Sequence, residues 1–275
     1  MNKLVSFSRA PGLVQCSKEM LLNTPIKEIP ATSIPAYVIP DVISERQEKN
    51  IATYMNLLFD RLPFVEGHVD ALIHHYKEFY RSGTMLTDER GLGEIDEADE
   101  SVEAQMTPEV KEDIRKAIVE CRELSQSFIP KIPVADRVHF LQLHTSGFIR
   151  AHVDESRNSS GMVAGVTLGT ARVMSLTHPK FPDAKVDMLL APRSMYIIAG
   201  TARTEWAHSV DWEVDDDDHN NRARVEAGSV VSTTDMNQPV MFEGKPSGFY
   251  RGTRNALIFR GVGPMDLFLH KMRQK

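Results

Sequence analysis

His152 and Asp154 stand together as H-V-D, just after an apolar segment turned at Gly147, and His208 closes a second apolar stretch in T-E-W-A-H. Two imidazoles and one carboxylate in that order suit a facial triad, which grips ferrous iron on one face and leaves the opposite positions open for a co-substrate and oxygen. On a regular strand, residues two apart project from the same face about 6.6 Å apart at the backbone, close enough to chelate one ion. A hydrogen-bonded surface pair is the bland alternative for His152 and Asp154, and a core or surface histidine for His208. The second histidine lies several predicted strands downstream, which favours a shared metal.

Arg254 and Arg260 supply the other half of the chemistry, in R-N-A-L-I-F-R. Their even separation aims both guanidiniums at one side of a sheet, with Cα atoms about 20 Å apart on an unbroken strand. A planar, permanently charged fork is the side chain that holds a carboxylate in fixed orientation. Arg254 is the first candidate for clamping the distal carboxylate of a small dicarboxylic acid. Arg260 is assigned to the metal end or the substrate. The alternative for each is an ordinary ion pair.

Elements that would position these groups can be read from periodicity. The run Pro25, Pro30, Pro35 and Pro40 cannot be helical and reads as an extended approach. Ser44 and Gln47 make a capping-box pattern ahead of Ile51, Tyr54, Met55 and Leu58. Leu72, Ile73, Tyr76 and Phe79 recur at helical spacing and predict a second helix. Residues 86–106 are acidic and nearly free of apolar side chains, which predicts a solvated loop. Thr107 and Pro108 then open a third helix carrying Val110, Ile114, Ala117, Ile118 and Cys121 as one stripe. From Arg137 onward the texture is short strands: 138–143, 162–168, 171–177, 186–190, 194–199 and 254–260. Residues 211–253 read as a long polar excursion between the last metal-ligand candidate, His208, and the final strand.

The fold class expected is therefore mostly β with N-terminal helices, the strands forming a double-stranded β-helix (jelly-roll). Three parts follow: a leader and extended approach over 1–40, a helical extension over 41–130 packing on the core, and the catalytic β-helix over 131–275 with its insertion at about 211–253.

The 275 residues carry a net charge of -6, which argues against a surface built to neutralise many phosphates. Two cysteines, Cys16 and Cys121, make no disulfide framework and suit a reducing compartment. No apolar run approaches the ~20 residues that span a bilayer, so no membrane insertion is expected. The segment 1–18 has Lys3, Arg9 and Lys18 with Ser6, Ser8 and Ser17 and no acid, the composition of a mitochondrial transit peptide or of a plain disordered leader.

The order His, Asp, His, Arg, Arg resembles the AlkB family of iron(II)- and 2-oxoglutarate-dependent dioxygenases, whose motif is H-x-D, then H, then R-x5-R. The likeness is most specific in V-H-F-L-Q-L-H-T-S-G-F-I-R-A-H-V-D and S-M-Y-I-I-A-G-T-A-R-T-E-W-A-H-S, and it resumes at Arg254. Within the family it is strongest to a mitochondrial member. This resemblance implies Fe(2+) held by His152, Asp154 and His208, with 2-oxoglutarate and O2 as co-substrates. It implies oxidative decarboxylation to succinate coupled to oxidation of a C–H bond, as hydroxylation or demethylation. DNA-repair members place an Asn and a Tyr, which touch 2-oxoglutarate, where this chain has Leu141 and Leu143. Tyr196 matches a tyrosine that takes over this task, with Arg254, and Arg260 follows as the motif's second arginine.

The resemblance further implies a protein or small-molecule substrate, a mitochondrial matrix setting (the cytoplasm otherwise), and a link to fatty-acid metabolism and programmed necrosis. An acidic loop stands where nucleic-acid demethylases carry a basic, aromatic lid, which disfavours a nucleic-acid partner. Two rival readings are a nucleic-acid dealkylase of the same family and a non-catalytic, cupin-like binding module. The sequence leaves the substrate's identity and the oligomeric state open.

Overall fold

The computed structural model describes residues 34–67, 72–82, 104–154, 161–211 and 238–263. The leader, most of the acidic loop and residues 212–237 of the polar insertion lie outside them. The first helix, α1 (Glu45–Phe59), starts where the capping box requires: Ser44 Oγ accepts from the Gln47 amide at 3.2 Å, and the Ser44 amide donates to Gln47 Oε1 at 2.8 Å. In α2 (Pro108–Phe128), Thr107 caps and proline opens the first turn, where its missing N–H costs nothing. Asp113 on α2 ties the two helices together, accepting from Arg46 and Asn50 of α1, each at 2.7 Å.

The remaining described chain is mostly strand: β1 (Ala36–Ile39), β2 (Ile73–Ser82), β3 (Arg137–His152), β4 (Met162–Gly169), β5 (Arg172–His178), β6 (Phe181–Leu190), β7 (Met195–Ala199), β8 (Ala207–Val210), β9 (Pro239–Phe242), β10 (Lys245–Tyr250) and β11 (Arg254–Arg260). A five-residue helix, α3 (Gly200–Thr204), turns the chain between β7 and β8. All strand pairs are antiparallel, in the order β1-β7-β4-β11-β3-β8-β5-β6, with β2 on the free side of β3. The chain passes back and forth between two halves of this sheet. The first half of β3 pairs with β11, which pairs with β4, which pairs with β7; the last turn of β3 pairs with β8, then β5, then β6. That alternation is a double-stranded β-helix, as the strand pattern predicts.

Pleat alternation divides the two cores. Leu257 and Phe259 of β11, with Phe140 of β3, face α1 and α2, where Ile51, Tyr54, Ile114 and Ile118 are buried. Each such side chain stabilises the stack by roughly 1.5–3 kcal/mol. Ala256 and Ile258 face the other way, into the roll, with Leu141, Leu143, Met174 and Met188. Arg254 and Arg260 share that parity.

Two expectations are corrected. The segment 72–79 is not a helix but lies largely in β2, pairing with β3 from Ile73↔Ile149 to Ser82↔Arg137. Ile73 and Tyr76 fall three apart yet face one core because the β2–β3 ladder is irregular at His75, whose φ is +49°, while Phe79 packs on the other core. The polar insertion also contains a hairpin, β9–β10, whose two-residue turn Glu243-Gly244 has both φ values positive (51° and 72°), the geometry that matches strand twist.

Gly147 sits in β3 opposite the bulge, and a Cβ there would lie 2.7 Å from the His75 carbonyl oxygen and 3.0 Å from His144 backbone atoms. Backbone cannot rotate away, so Gly147→Ala is expected to lower stability by about 1–3 kcal/mol. A denaturant midpoint equal to that of the native chain would contradict this account of the crossing.

Candidate metal and carboxylate site

β3 ends and β8 begins as neighbours, with His152 and His208 directly opposite in register. Their rings lie 4.3 Å apart, centroid to centroid. Asp154 follows just beyond β3, its Oδ1 3.3 Å from His152 Nε2 and 3.8 Å from His208 Nε2. One ligand-type atom from each residue falls within 4.8 Å of the others, so the structure brings the three predicted residues together.

The protonation pattern is legible from the partners. His152 Nδ1 lies 2.8 Å from the Arg150 carbonyl, an atom that only accepts, so Nδ1 carries a proton and the ring is oriented with Nε2 toward Asp154. A proton or a cation between Nε2 and the carboxylate oxygen satisfies that 3.3 Å contact. Burial pushes the Asp154 carboxyl up, but the contact with His152, the nearness of His208 and the charge of Arg260 outweigh it and hold the group well below the ordinary carboxylate range. Burial lowers His208 to about 4, helped by the neighbouring His152, so its ring is neutral at pH 7. Its Nδ1 is buried without a hydrogen-bond partner among the described residues. Two imidazoles and an ionised carboxylate are the donor set that fits a divalent ion such as ferrous iron.

At the other end of β11, Arg254 is 2% exposed. Its Nη2 donates to Thr167 Oγ1 at 3.1 Å, while Nε has no hydrogen-bond partner and no carboxylate lies in ion-pair range among the described residues. Burial lowers its pKa, opposed by Tyr196 and Asp211. A buried guanidinium without its counter-ion costs several kcal/mol, so this position calls for an anion. Arg172 is the contrast. Equally buried, it pairs with Asp211 at 2.7 Å and donates to the carbonyls of Ala171, His144 and Gly252, pinning the β4–β5 corner to the crossing in β3 and to the approach to β11.

Tyr196 on β7 is opposite Gly165 on β4. A Cβ at Gly165 would stand 2.3 Å from Tyr196 Cε1 and 2.7 Å from its hydroxyl, so the ring lies across the glycine and extends over β4. Burial raises the Tyr196 hydroxyl, which stays protonated and able to donate, and the charges of Arg254 and Arg260 are both felt there. Leu141 and Leu143 line the same interior as buried apolar wall.

Arg260 donates through Nη1 to His139 Nδ1 at 3.1 Å, and its charge is felt at Asp154 and His208. Sequence reasoning had no assignment for His139, Thr167, Gly165 or Arg203. Arg203, on α3, is 1% exposed and its charge is coupled to Asp154. Only its placement inside T-A-R-T-E-W-A-H hinted at a role; the others have no local signal, since each acts through a partner on a distant strand.

No family model matches the chain. Curated relatives do: over 175 residues it is 26% identical to the mitochondrial alpha-ketoglutarate-dependent dioxygenase alkB homolog 7 of Mus musculus, covering 64% of this chain and 66% of that protein. The same figures hold for the Bos taurus protein of that name. The chain resembles AlkB homolog 7 in sequence. It spans just under two thirds of the length of these homolog 7 proteins. Among solved structures it is similar to a Pseudomonas putida prolyl-4-hydroxylase (9% identity, TM-score 0.42, covering 83% of this chain and 92% of that one) and to OsALKBH1 (14%, 0.43, 82% and 97%). The strand order, rather than these loose superpositions, defines the roll.

His139 and His208 are both held near 4, chiefly by burial, against an ordinary value of 6.5. Their folded values are depressed, so their contribution to stability is complete above about pH 6.5 and is lost as pH falls through about 4. The metal-free protein's denaturant midpoint is expected to fall across that window, and a His139→Gln/His208→Gln double variant to fall less. Parallel curves for the two proteins would contradict the assignment of neutral buried rings.

Proposed function

We propose that the chain is an Fe(II)- and 2-oxoglutarate-dependent dioxygenase, and the observation that carries this is the convergence of His152, Asp154 and His208 at one point of the roll. Bound ferrous iron would supply the activation of O2 that couples decarboxylation of 2-oxoglutarate, to succinate and CO2, with oxidation of a substrate C–H bond. The chain's own residues prepare that chemistry. His152 is oriented by the Arg150 carbonyl at Nδ1, which leaves Nε2 turned to the place where the metal would bind. Asp154 brings a negative charge that offsets part of the metal's. Arg254 and the Tyr196 hydroxyl hold the far carboxylate of 2-oxoglutarate, which would give Arg254 the counter-ion that the described residues lack. Leu141, Leu143 and Ile258 wall the interior and keep water from it.

The buried Arg254, which has no carboxylate partner among the described residues, favours this reading over a cupin-like module, which has no need of an internal anion site. A protein side chain or a small metabolite is the proposed substrate class. The chain's net charge of -6 supports it, since a strand-gripping surface would be basic. The relatives' names support a mitochondrial setting, and the link to fatty-acid metabolism and programmed necrosis rests on the resemblance alone. Among the described residues no helix is long and apolar enough to cross a membrane.

Succinate release from 2-oxoglutarate in the presence of Fe(II) tests the proposal. Asp154→Ala is expected to lose iron retention and turnover together, whereas Arg254→Leu should keep iron and weaken 2-oxoglutarate binding by about 10- to 100-fold, the scale of a lost charge-assisted contact. An Asp154→Ala protein that holds iron and turns over normally would show the ligand assignment to be wrong. Salt-sensitive binding to single-stranded nucleic acid would favour the dealkylase reading instead.

A further inference from the structure

Among the described residues, the charge of Arg260 is felt at Asp154, His208 and Tyr196 alike, so it acts on the metal-type donors. It comes from the last residue of β11, where an arginine side chain has several rotamers to choose from. One contact chooses for it. Arg260 Nη1 lies 3.1 Å from His139 Nδ1, and an arginine nitrogen can only donate, so Nδ1 must be the ring's unprotonated nitrogen.

The proton of the neutral ring then sits on Nε2. That nitrogen faces Glu78 Oε2 at 2.8 Å, an oblique approach that lies off the N–H axis but within reach of the carboxylate's charge. His139 is 3% exposed, so water does not compete for either nitrogen. Tyr80 stacks on the ring at 4.3 Å with an interplanar angle of 14°, and Arg137 covers the far side of Tyr80 at 4.0 Å. Glu78 and Tyr80 both belong to β2, opposite Leu141 and His139 in register. β2 is not one of the eight strands that alternate through the roll.

We propose that His139, oriented by Glu78 and Tyr80, is a positioning residue that locks Arg260 toward the metal end, so that β2 tunes a site to which it contributes no ligand. This rests on the proposed function for the meaning of Arg260, but not for the state of the ring. The chain Glu78 carboxylate, Nε2–H, Nδ1, Arg260 N–H is directional: exchanging the ring's proton between its nitrogens would turn a donor against a donor at Arg260. A glutamine at 139 can reproduce it, accepting through its carbonyl and donating through its amide. Leucine, of similar bulk, can do neither.

Two readouts test the proposal. Long-range 1H–15N correlation on the labelled, metal-free protein should show His139 protonated at Nε2 and bare at Nδ1; the opposite tautomer overturns the inference whatever the activity. Calorimetry of 2-oxoglutarate binding to the full chain loaded with Mn(II) should show His139→Leu weakened about tenfold with metal affinity unchanged, and His139→Gln within about threefold of the native chain, as expected for one charge-assisted hydrogen bond lost and restored. Native affinity in His139→Leu overturns it, as does a glutamine variant weakened as much as the leucine one. If the native Mn(II)-loaded chain takes up no 2-oxoglutarate, the proposed function fails and the inference about Arg260 falls with it, while the ring's tautomer still reports on the Glu78 chain separately.

Discussion

One strand serving two sheets is the constraint on which the site depends. β3 pairs with β11 over its first half and with β8 at its end, and between them it must bend at 144–147, where Gly147 gives the backbone of His75 room to approach. The bend delivers His152 opposite His208, and Asp154 after it. The same β3 and its neighbour β11 carry Leu143 and Arg254 as register partners at the other end of the roll. Metal-type donors and a guanidinium with no carboxylate partner among the described residues are thereby held on one continuous backbone frame, which fixes their separation more firmly than loops would.

Electrostatics divides the buried arginines into two kinds. Arg172 has a carboxylate, in Asp211, and three backbone carbonyls; it is part of the scaffold. Arg254 has a threonine hydroxyl and, among the described residues, an unpartnered Nε; Arg260, only partly buried, has a neutral imidazole. Burying a cationic group so lightly compensated as Arg254 lowers the stability of the free protein and leaves binding energy for an anion to recover. The histidines show the complementary arrangement. Burial keeps His139 and His208 neutral, so one can accept from a guanidinium and the other can bind a cation without first losing a proton.

Much of this was legible in the sequence because it is written locally. The capping box at Ser44, the Thr107-Pro108 start and the alternation in 254–260 each follow from a few adjacent residues, and each stands in the structure where expected. The segment 72–79 was misleading because the ladder irregularity at His75 puts Ile73 and Tyr76 in one core at a helix-like spacing, and Phe79, on the opposite face, continues that spacing. The hairpin after 238 was hidden by its polarity, although Glu243-Gly244 is a turn pair. His139, Thr167 and Gly165 could not be found at all from periodicity: each matters through a side chain on another strand, and pairing across a sheet is not encoded within either strand.

The most direct measurement is an anaerobic titration of the native chain with Fe(II) and then 2-oxoglutarate, followed by visible absorption. The account predicts one iron per chain and a weak charge-transfer band that grows in only when 2-oxoglutarate joins the bound metal. Iron that binds without stoichiometry, or that binds once but gives no band at saturating 2-oxoglutarate, would contradict it.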